Sequence, residues 1–229
     1  MGLKVILTGS TGMVGKGVLM ECLKHPEVES VLVINRRPLG TKHPKLTEIV
    51  HANFNDLSAI AGKLAGFDAC FYCVGVVSLR ITEDEYHQIT HDLTVYIAAT
   101  LLEINPGLTF IYISGWGSDN REKSRVMRMR VKGKTENSLL ALPSGKCYMF
   151  RPGYIQPRDG IKSRTTAYRL MYSLFAPLYP LLKSLFPKIV TSTRHVGKAM
   201  IAVALNGYPR KIAENRDITE LARKARDLL

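Results

Sequence analysis

Three glycines near the start of the chain are spaced as GxxGxxG, at Gly9, Gly12 and Gly15 in the stretch GSTGMVG. They follow the apolar, β-branched run LKVILT and open a stretch whose apolar residues have helical spacing. In such a strand–turn–helix unit, one glycine permits the tight turn, one lets backbone N–H groups approach a pyrophosphate, and one lets helix and strand pack closely. The helix N-terminus also attracts the anion. The loop therefore predicts a nucleotide-binding site.

The residues after the second predicted strand indicate which dinucleotide the site prefers. Sites that prefer NAD place a carboxylate there for the ribose hydroxyls, whereas this chain has Asn35, Arg36 and Arg37. A carboxylate repels a 2′-phosphate, and guanidinium groups bind one bidentately. We therefore predict that Arg36 and Arg37 bind the 2′-phosphate and that NADP(H) is preferred over NAD(H). The alternative, that both arginines are solvated turn residues, stays open.

Two other residue pairs have the types and spacing of ligands. His87 and His91 are spaced i,i+4, as helical metal ligands are, but the sequence shows no third ligand beside them. We therefore predict no metal site and place both histidines at a helix edge near the cofactor cleft. Cys70 and Cys73 form a CxxC inside an apolar, strand-like run, whereas redox pairs open a helix. The cysteines are expected to be reduced and to bind no metal.

The segment SRVMRMRVKGKTEN at 124–137 is crowded with cations and contributes to a formal net charge of +13. Such a charge favours an anionic ligand or surface. On a helix, Arg125, Arg128 and Lys132 recur near one face while the other cations lie elsewhere, and no aromatic side chain interleaves them for base stacking. This distribution argues against nucleic-acid binding.

Alternating strands and helices must position these residues. Strands are predicted at 3–8, 31–34, 47–50, 69–74, 108–113 and 146–150. Helices are predicted at 12–25, 57–64, 82–104, 124–142 and 196–204 and from about 219, with Thr82 and Glu85 forming a capping box. Nearly continuous apolar strands alternating with helices indicate a parallel sheet covered on both faces. The predicted fold class is α/β, a doubly wound parallel sheet (Rossmann fold) with a small, mainly helical C-terminal lobe.

We predict a single domain over residues 1–229, in which residues 154–192 form a substrate or partner lobe. Residues 168–187 are apolar and aromatic and long enough to invite a transmembrane interpretation, but they contain Arg169, Lys183 and two prolines. We expect helices packed over the sheet there, with peripheral membrane contact as the open alternative. The first residues lack the features of a signal or transit peptide, so the expected location is the cytoplasm.

Several motifs occur in an order that resembles the short-chain dehydrogenase/reductases. Within that family they resemble the atypical NAD(P)H-binding, epimerase/dehydratase-like members, which include nitrogen-regulator-type sensors and the Tat-interacting-protein branch. The motifs are TGSTGMVG, NRR, CVG at 73–75, ISGWG at 113–117, VKGKTE at 131–136 and RPGYI at 151–155. A match to any one motif is weak, whereas their order is specific.

The resemblance implies roles for residues by position. Pyrophosphate would be held by Gly9, Ser10, Thr11, Gly12, Met13, Val14 and Gly15. Adenine would be held by Asp56 and Leu57, and the ribose and nicotinamide would be lined by Cys73, Val74 and Gly75. The nicotinamide would be bordered by Pro152, Gly153, Tyr154 and Ile155. Ser114 would stand where the family's serine polarises a carbonyl group.

This chain departs from the family's Tyr-x-x-x-Lys pair. Two registers are available, Arg128 with Lys132 or Arg130 with Lys134. The family often carries a glutamate four residues after the lysine, and Glu136 selects the first register. Lys132 would then contact the nicotinamide ribose, while arginine stands at the tyrosine position. Because the pKa of arginine lies above 12, it is a poor proton carrier.

Three accounts follow from this departure. In the first, a reductase uses Tyr154 or an ordered water as the proton donor. In the second, a non-catalytic sensor or scaffold binds NADP(H) and a protein partner. In the third, Arg128 stabilises an anionic substrate without proton transfer. We predict an NADP(H)-binding oxidoreductase or epimerase/dehydratase-like protein with catalytic candidates Ser114, Lys132, Arg128 and Tyr154, and keep the sensor as the alternative. The small-molecule substrate stays unidentified.

Overall fold

Seven parallel strands form the main sheet of the computed structural model, which describes residues 2–78, 81–143, 146–161 and 189–224 together with Tyr179 and Phe186. The strands are β1 (Leu3–Thr8), β2 (Val28–Asn35), β3 (Leu46–Val50), β4 (Ala69–Tyr72), β5 (Thr109–Ile113), β6 (Cys147–Arg151) and β9 (Ile212–Glu214). Their order in the sheet is β3-β2-β1-β4-β5-β6-β9. The predicted doubly wound parallel sheet is therefore confirmed.

Helices connect these strands and cover both faces of the sheet. The α-helices are α1 (Met13–Lys24), α2 (Glu83–His87), α3 (Leu93–Ile104), α4 (Met127–Leu140), α5 (Thr193–Asn206) and α6 (Asn215–Lys224). A 3-10 helix spans Ser58–Lys63, and a π-helical segment at Gln88–Asp92 joins α2 to α3. The capping box is confirmed, because the Thr82 hydroxyl accepts the Glu85 N–H and the Glu85 side chain accepts the Thr82 N–H.

The core lies on the two faces of the sheet, as the alternation of side chains along a strand requires. On β1, Val5 and Leu7 belong to the buried cluster that packs with α1, α5 and α6, whereas Ile6 belongs to the cluster that packs with α3 and α4. Phe71 and Tyr72 divide in the same way on β4. Both faces of the central strands are therefore apolar, which explains their continuous hydrophobic runs.

Some predicted boundaries and elements differ from the structure. The helix predicted at 57–64 is a 3-10 helix, and the strand predicted at 69–74 ends at Tyr72. The long helix predicted at 82–104 contains the π-helical segment. Strand β9 was not predicted, because its three residues are too few to show periodicity and follow the polar stretch NGYPRK.

A second, two-stranded sheet follows β6. It pairs β7 (Tyr154–Gln156) with β8 (Val190–Ser192) in parallel. Nearly all of the segment 168–187 and most of the predicted lobe at 154–192 lie outside the described residues. Within the described ranges, no helix is both long and apolar enough to cross a membrane.

The order of the strands reverses between β1 and β4, since the chain moves outward from β1 to β2 and β3 and then returns to the other side. In open α/β sheets, ligands bind in the crevice at the carboxyl ends of the strands, at this switch point. The residues that follow β1, β2, β3 and β4 therefore meet at one edge.

Candidate functional site

The glycine loop fits tightly between the ends of β1 and β4. Gly9 has φ +73°, and a Cβ there would lie 2.5 Å from the carbonyl oxygen of Cys73. A Cβ on Gly15 would lie 2.2 Å from the carbonyl oxygen of Gly9. Because neither contact leaves room for a side chain, both positions require glycine. Gly15 therefore packs α1 against the loop, as the sequence predicts for the third glycine.

The N-terminus of α1 carries no capping side chain. Gly12 is the N-cap residue, and the first turn of α1 contains no acidic residue. The Gly12 N–H donates to the Gly9 carbonyl over 2.9 Å, which closes the turn before the helix. The first N–H groups of a helix have no partner within the helix and carry a partial positive charge. This end of α1 therefore suits an anionic group such as a pyrophosphate.

A hydrogen-bonded chain joins the glycine loop to the ends of β2 and β3. The Ser10 hydroxyl donates to Asn35 Oδ1 over 2.8 Å, and Asn35 Nδ2 donates to Glu48 Oε1 over 2.8 Å. Glu48 also accepts the Leu39 N–H over 2.9 Å. The Asn35 amide and the Glu48 carboxylate are therefore engaged inside the protein. Asn35, which ends β2, is buried, so the position that holds ribose hydroxyls in NAD sites has an amide in place of a carboxylate, and the nearby Glu48 carboxylate is bonded to protein groups.

A cleft of about 700 Å³ opens at the switch point, within the usual range for small-molecule sites. Its walls come from the glycine loop, the ends of β2 and β4, the loop after β3 and the helical stretch from Gln88 to Leu93. The lining residues are Gly9, Thr11, Gly12, Met13, Ile34, Asn35, Arg36, Ala52, Asn53, Phe54, Asn55, Cys73, Val74, Gly75, Val76, Val77, Gln88, Ile89, Asp92 and Leu93.

Eight residues of the predicted cofactor site line this cleft, and eleven do not. The eight are Gly9, Thr11, Gly12, Met13, Arg36, Cys73, Val74 and Gly75. Those that do not line it are Ser10, Val14, Gly15, Arg37, Asp56, Leu57, Lys132, Pro152, Gly153, Tyr154 and Ile155. The two arginines thus differ in position: both are exposed, and Arg36 but not Arg37 is part of the cleft wall.

Sequence reasoning missed the loop at 52–55. Its residues follow β3, so they lie at the same edge as the glycine loop. Their place directly after a parallel strand was the sequence feature that could have identified them as part of the site. Asp56 and Leu57, predicted for adenine, lie just beyond it. The Asp56 carboxylate accepts the Ser58 N–H over 2.9 Å, and Leu57 is buried in the core. Hydrogen bonds to Ser58 also hold the pKa of Asp56 below its usual range.

Ser114 and Lys132 meet at the carboxyl end of β5, which is the neighbour of β4 in the sheet. The Ser114 hydroxyl is buried and donates to the Phe150 carbonyl over 3.1 Å. The Lys132 ammonium donates to the Ser114 carbonyl oxygen. Gly115, with φ +150°, follows directly, and a Cβ there would lie 3.6 Å from Lys132 Nζ. The predicted serine and lysine are therefore in contact, one strand away from the cleft wall at Cys73.

Burial, together with the nearby charge of Arg128, lowers the pKa of Lys132 to about 8, and Glu136 opposes the shift. Arg128 itself is exposed. Its charge acts on Tyr86 as well as on Lys132. The side chain at the family's tyrosine position therefore adds positive potential to this region.

The pKa of Lys132 predicts how stability depends on pH. An unfolded lysine keeps its proton up to about pH 10.4, whereas folded Lys132 releases it near pH 8. Between these values the unfolded lysine binds more protons than the folded one, so Lys132 should contribute a rise in the free energy of unfolding with pH. The Lys132→Arg variant, which keeps its charge throughout, should lack this rise. Urea unfolding of both proteins from pH 7.5 to 10.5 measures it, and parallel curves would contradict the assignment.

Glu136 anchors α4 to the sheet. Its side chain is 0% exposed and pairs with the guanidinium of Arg151 at the end of β6, where Nε donates to Oε1 over 2.9 Å. Asn120 Nδ2 donates to Glu136 Oε2 over 2.9 Å, and Arg151 also bonds to Glu214 over 3.1 Å. These ion pairs and hydrogen bonds raise the pKa of Arg151. Glu136 therefore fixes the position of the helix that carries Lys132.

The same helix packs closely on the loop before it. A Cβ on Gly133 would lie 1.9 Å from the Asp119 carbonyl oxygen, so only glycine fits there. In the first turn of the same helix, Arg130 donates to the Glu83 carboxylate over 2.7 Å. Arg130 and Lys132 are thus already paired with protein groups, and neither contributes a free cation to a basic surface.

Tyr154, the predicted alternative proton donor, lies on β7. Its hydroxyl donates to Gln156 Oε1 over 2.6 Å. The preceding Gly153 N–H donates to Asn215 Oδ1 over 3.0 Å, which ties this turn to α6. Tyr154 does not line the cleft. The structure therefore brings Ser114 and Lys132 together and does not join Tyr154 to them by a hydrogen bond among the described contacts.

Just over half of the chain matches the model of a known protein family. The model of the NAD dependent epimerase/dehydratase family matches residues 5–124, which include the glycine loop and the cleft walls. Leucinostatins biosynthesis cluster protein T of Purpureocillium lilacinum is 27% identical over 165 residues, which are 69% of this chain and 60% of that protein. This match thus spans less than two thirds of the relative.

A second relative and a solved structure match over more of their length. Protein FMP52, mitochondrial, of Meyerozyma guilliermondii is 23% identical over 207 residues, covering 89% of this chain and 86% of that protein. UDP-N-acetylglucosamine 4-epimerase from Bacillus cereus superposes with a TM-score of 0.63 at 16% identity, covering 96% of this chain and 83% of the epimerase. At 16% identity, this similarity establishes a shared fold and nothing about activity.

Proposed function

Because the chain belongs to the NAD dependent epimerase/dehydratase family, we propose that it binds NADP(H) in the cleft at the switch point and acts as an oxidoreductase or epimerase/dehydratase-like enzyme. The observation that carries the NADP(H) preference is Arg36 on the cleft wall, beside a β2 end that offers no free carboxylate. A guanidinium there complements a 2′-phosphate, which NAD(H) lacks.

Different residues of the cleft would hold different parts of the cofactor. The uncapped N-terminus of α1 at Gly12 would hold the pyrophosphate, and Arg36 would hold the 2′-phosphate. The loop at 52–55 would contact the adenine, and residues 73–75 would line the ribose and nicotinamide. When bound, the cofactor supplies hydride transfer, and the protein supplies binding, orientation and electrostatics.

The catalytic role falls to Ser114 and Lys132 in this proposal. The Ser114 hydroxyl and the Lys132 ammonium are the polar groups at the end of β5, beside the strand that ends at the cleft. With a pKa near 8, Lys132 can exchange a proton at neutral pH more readily than Arg128, because an arginine guanidinium keeps its proton in proteins. Arg128 would stabilise developing negative charge.

The two arginines provide the test of the proposed cofactor preference. Arg36→Ala should weaken NADPH binding by about tenfold or more, since a charge-assisted hydrogen bond contributes about 1.5–3 kcal/mol. It should leave NADH binding nearly unchanged. Arg37→Ala is the matched control, because Arg37 lies outside the cleft wall, and it should have a smaller effect. Calorimetric titration with both cofactors measures this, and equal effects of the two substitutions would contradict the proposed position of the 2′-phosphate.

A non-catalytic NADP(H) sensor or scaffold with a protein partner is the second candidate. The observation that favours it is an exposed arginine, Arg128, at the position of the family's tyrosine. Turnover separates the two candidates: an enzyme should oxidise NADPH in the presence of a carbonyl substrate, and Lys132→Ala should abolish this. Binding of NADPH without turnover across a broad carbonyl panel would favour the sensor.

Partner and location stay predictions. We expect no nucleic-acid binding, since Arg130 and Lys132 of the basic segment are paired within the protein. Peripheral membrane contact through 168–187 is still a proposal for a segment that lies almost entirely outside the described residues. The cytoplasmic location likewise stays a prediction, and the FMP52 relative carries the word mitochondrial in its name. Cell fractionation distinguishes the two locations.

A further inference from the structure

Two histidines and an aspartate form a compact cluster at the edge of the cleft. One ligand-type atom from each of His87, His91 and Asp92 lies within 4.8 Å of the other two. Both imidazoles face the same carboxylate: His91 Nδ1 is 2.7 Å from Asp92 Oδ1, and His87 Nδ1 is 3.3 Å from Asp92 Oδ2. Asp92 also lines the cleft. The third residue with a ligand-type atom, which the i,i+4 spacing did not reveal, is therefore Asp92, next to His91.

The π-helical segment explains why the sequence pattern hid this ligand. In an α-helix, positions five apart are rotated by about 140° around the axis, so His87 and Asp92 would point in different directions. Here the Leu93 N–H donates to the Gln88 carbonyl, an i→i+5 bond that widens the turn. The wider turn lets residue 92 join residues 87 and 91. Single π-helical turns of this kind occur frequently at functional sites.

The surroundings of the cluster resemble the outer shell of a metal site. His91 Nε2 is 2.9 Å from the Ser138 hydroxyl on α4, so this ring is held from its far side while Nδ1 faces the cluster. A second hydrogen bond of this kind orients a metal-binding histidine. Among the described residues, His87 Nε2 has no hydrogen-bond partner. In the part of the chain that the structure describes, the His87 ring makes its polar contact through Nδ1, with the Asp92 carboxylate.

From this geometry we propose that His87 Nδ1, His91 Nδ1 and the Asp92 carboxylate bind one divalent transition metal ion of the Zn²⁺ class. Imidazole nitrogen and carboxylate oxygen are ligands that Zn²⁺ takes at about 2.0–2.2 Å, and both ring nitrogens of histidine serve as ligands. Three protein ligands leave a position for water or a substrate oxygen, as in catalytic zinc sites. Because Asp92 lines the cleft, the ion would place its charge at the cofactor pocket. The proposal does not depend on the proposed cofactor preference.

Titration of the purified, tag-free chain with Zn²⁺ in a calorimeter tests the site. The wild-type protein should bind one ion per chain, and His91→Ala and Asp92→Asn should each weaken binding by about tenfold or more. Ser138→Ala should weaken it by about tenfold, as loss of an outer-shell partner does. His43→Ala is the matched control, because His43 is exposed and not part of the cluster, and it should bind as the wild type does.

Two further measurements make the result decisive. Co²⁺ in place of Zn²⁺ should give visible absorption that the His91→Ala variant lacks, and circular dichroism should show that each variant is folded. If His91→Ala does not fold, His87→Ala is tested in its place, because the described polar contact of the His87 ring lies within the cluster, with Asp92. The proposal is overturned if wild-type protein binds no stoichiometric Zn²⁺, or if the cluster substitutions leave its affinity unchanged. Binding that disappears on alkylation of the cysteines instead would also overturn it.

Discussion

Glu136→Ala should lower the free energy of unfolding by about 3–5 kcal/mol, the cost of removing one partner of a buried ion pair. The substitution leaves the Arg151 guanidinium, whose side chain is 13% exposed, without the carboxylate that accepts from its Nε. It also removes an acceptor of the Asn120 amide. Arg151 keeps its contact with Glu214, which is half-exposed and offsets little of the loss. Urea unfolding followed by circular dichroism measures the effect.

Glu83→Ala is the matched control for this prediction. Glu83 also pairs with an arginine, Arg130, over 2.7 Å, but half of its side chain is exposed. An exposed pair of this kind contributes about 1 kcal/mol or less. If the two glutamate variants lost the same free energy, Glu136 would not be the anchor of α4, and the position of Lys132 would need another cause.

Gly12→Asp should abolish high-affinity dinucleotide binding while leaving the protein folded. Gly12 has φ −80° and ψ 168°, an N-cap conformation that aspartate favours. An added Cβ would lie 3.3 Å from the Gly9 carbonyl oxygen, a tight contact that a small shift relieves. The carboxylate would accept hydrogen bonds from the N–H groups that would otherwise bind the pyrophosphate. It would also repel the charge of the pyrophosphate, and such like-charge contacts cost several kcal/mol. We expect affinity for NADPH to fall by about 100-fold or more.

Gly12→Asn separates charge from size in this experiment. Asparagine has nearly the shape of aspartate and also caps the helix, so it should weaken binding without the charge repulsion. It should bind NADPH about tenfold or more tightly than the aspartate variant. Equal affinities would show that bulk alone matters, and unchanged affinity in Gly12→Asp would exclude the N-terminus of α1 as the anion site. The melting temperature of each variant verifies folding.

Local signals made much of the fold predictable. The run LKVILT, the glycine turn GSTGMVG and the helical spacing that follows it predict a strand, a turn and a helix, and the structure has all three between Leu3 and Lys24. Strand β9 was not predictable, since its pairing with β6 depends on contacts over a long sequence separation. The π-helical segment was also hidden, because its sequence, QITHD, fits an ordinary helix as well.

The site was predictable where the backbone dictates residue type and less so where tertiary contacts decide. The glycine loop and Arg36 follow from the turn after β1 and the end of β2. The cleft loop at 52–55 depends on how separate elements meet in space, and the approach of Asp92 to His87 and His91 depends on the π-helical turn. The contact of Lys132 with the Ser114 carbonyl likewise joins α4 to β5 across 18 positions of sequence.

The central claim is that the cleft binds NADP(H) in preference to NAD(H). Its most direct test is calorimetric titration of the wild-type protein with NADPH and, separately, NADH at the same ionic strength. Since Arg36 stands on the cleft wall and β2 ends in Asn35 in place of a carboxylate, we expect one NADPH per chain, bound about tenfold or more tightly than NADH. NADH bound as tightly as NADPH, or no binding of either cofactor, would contradict the account.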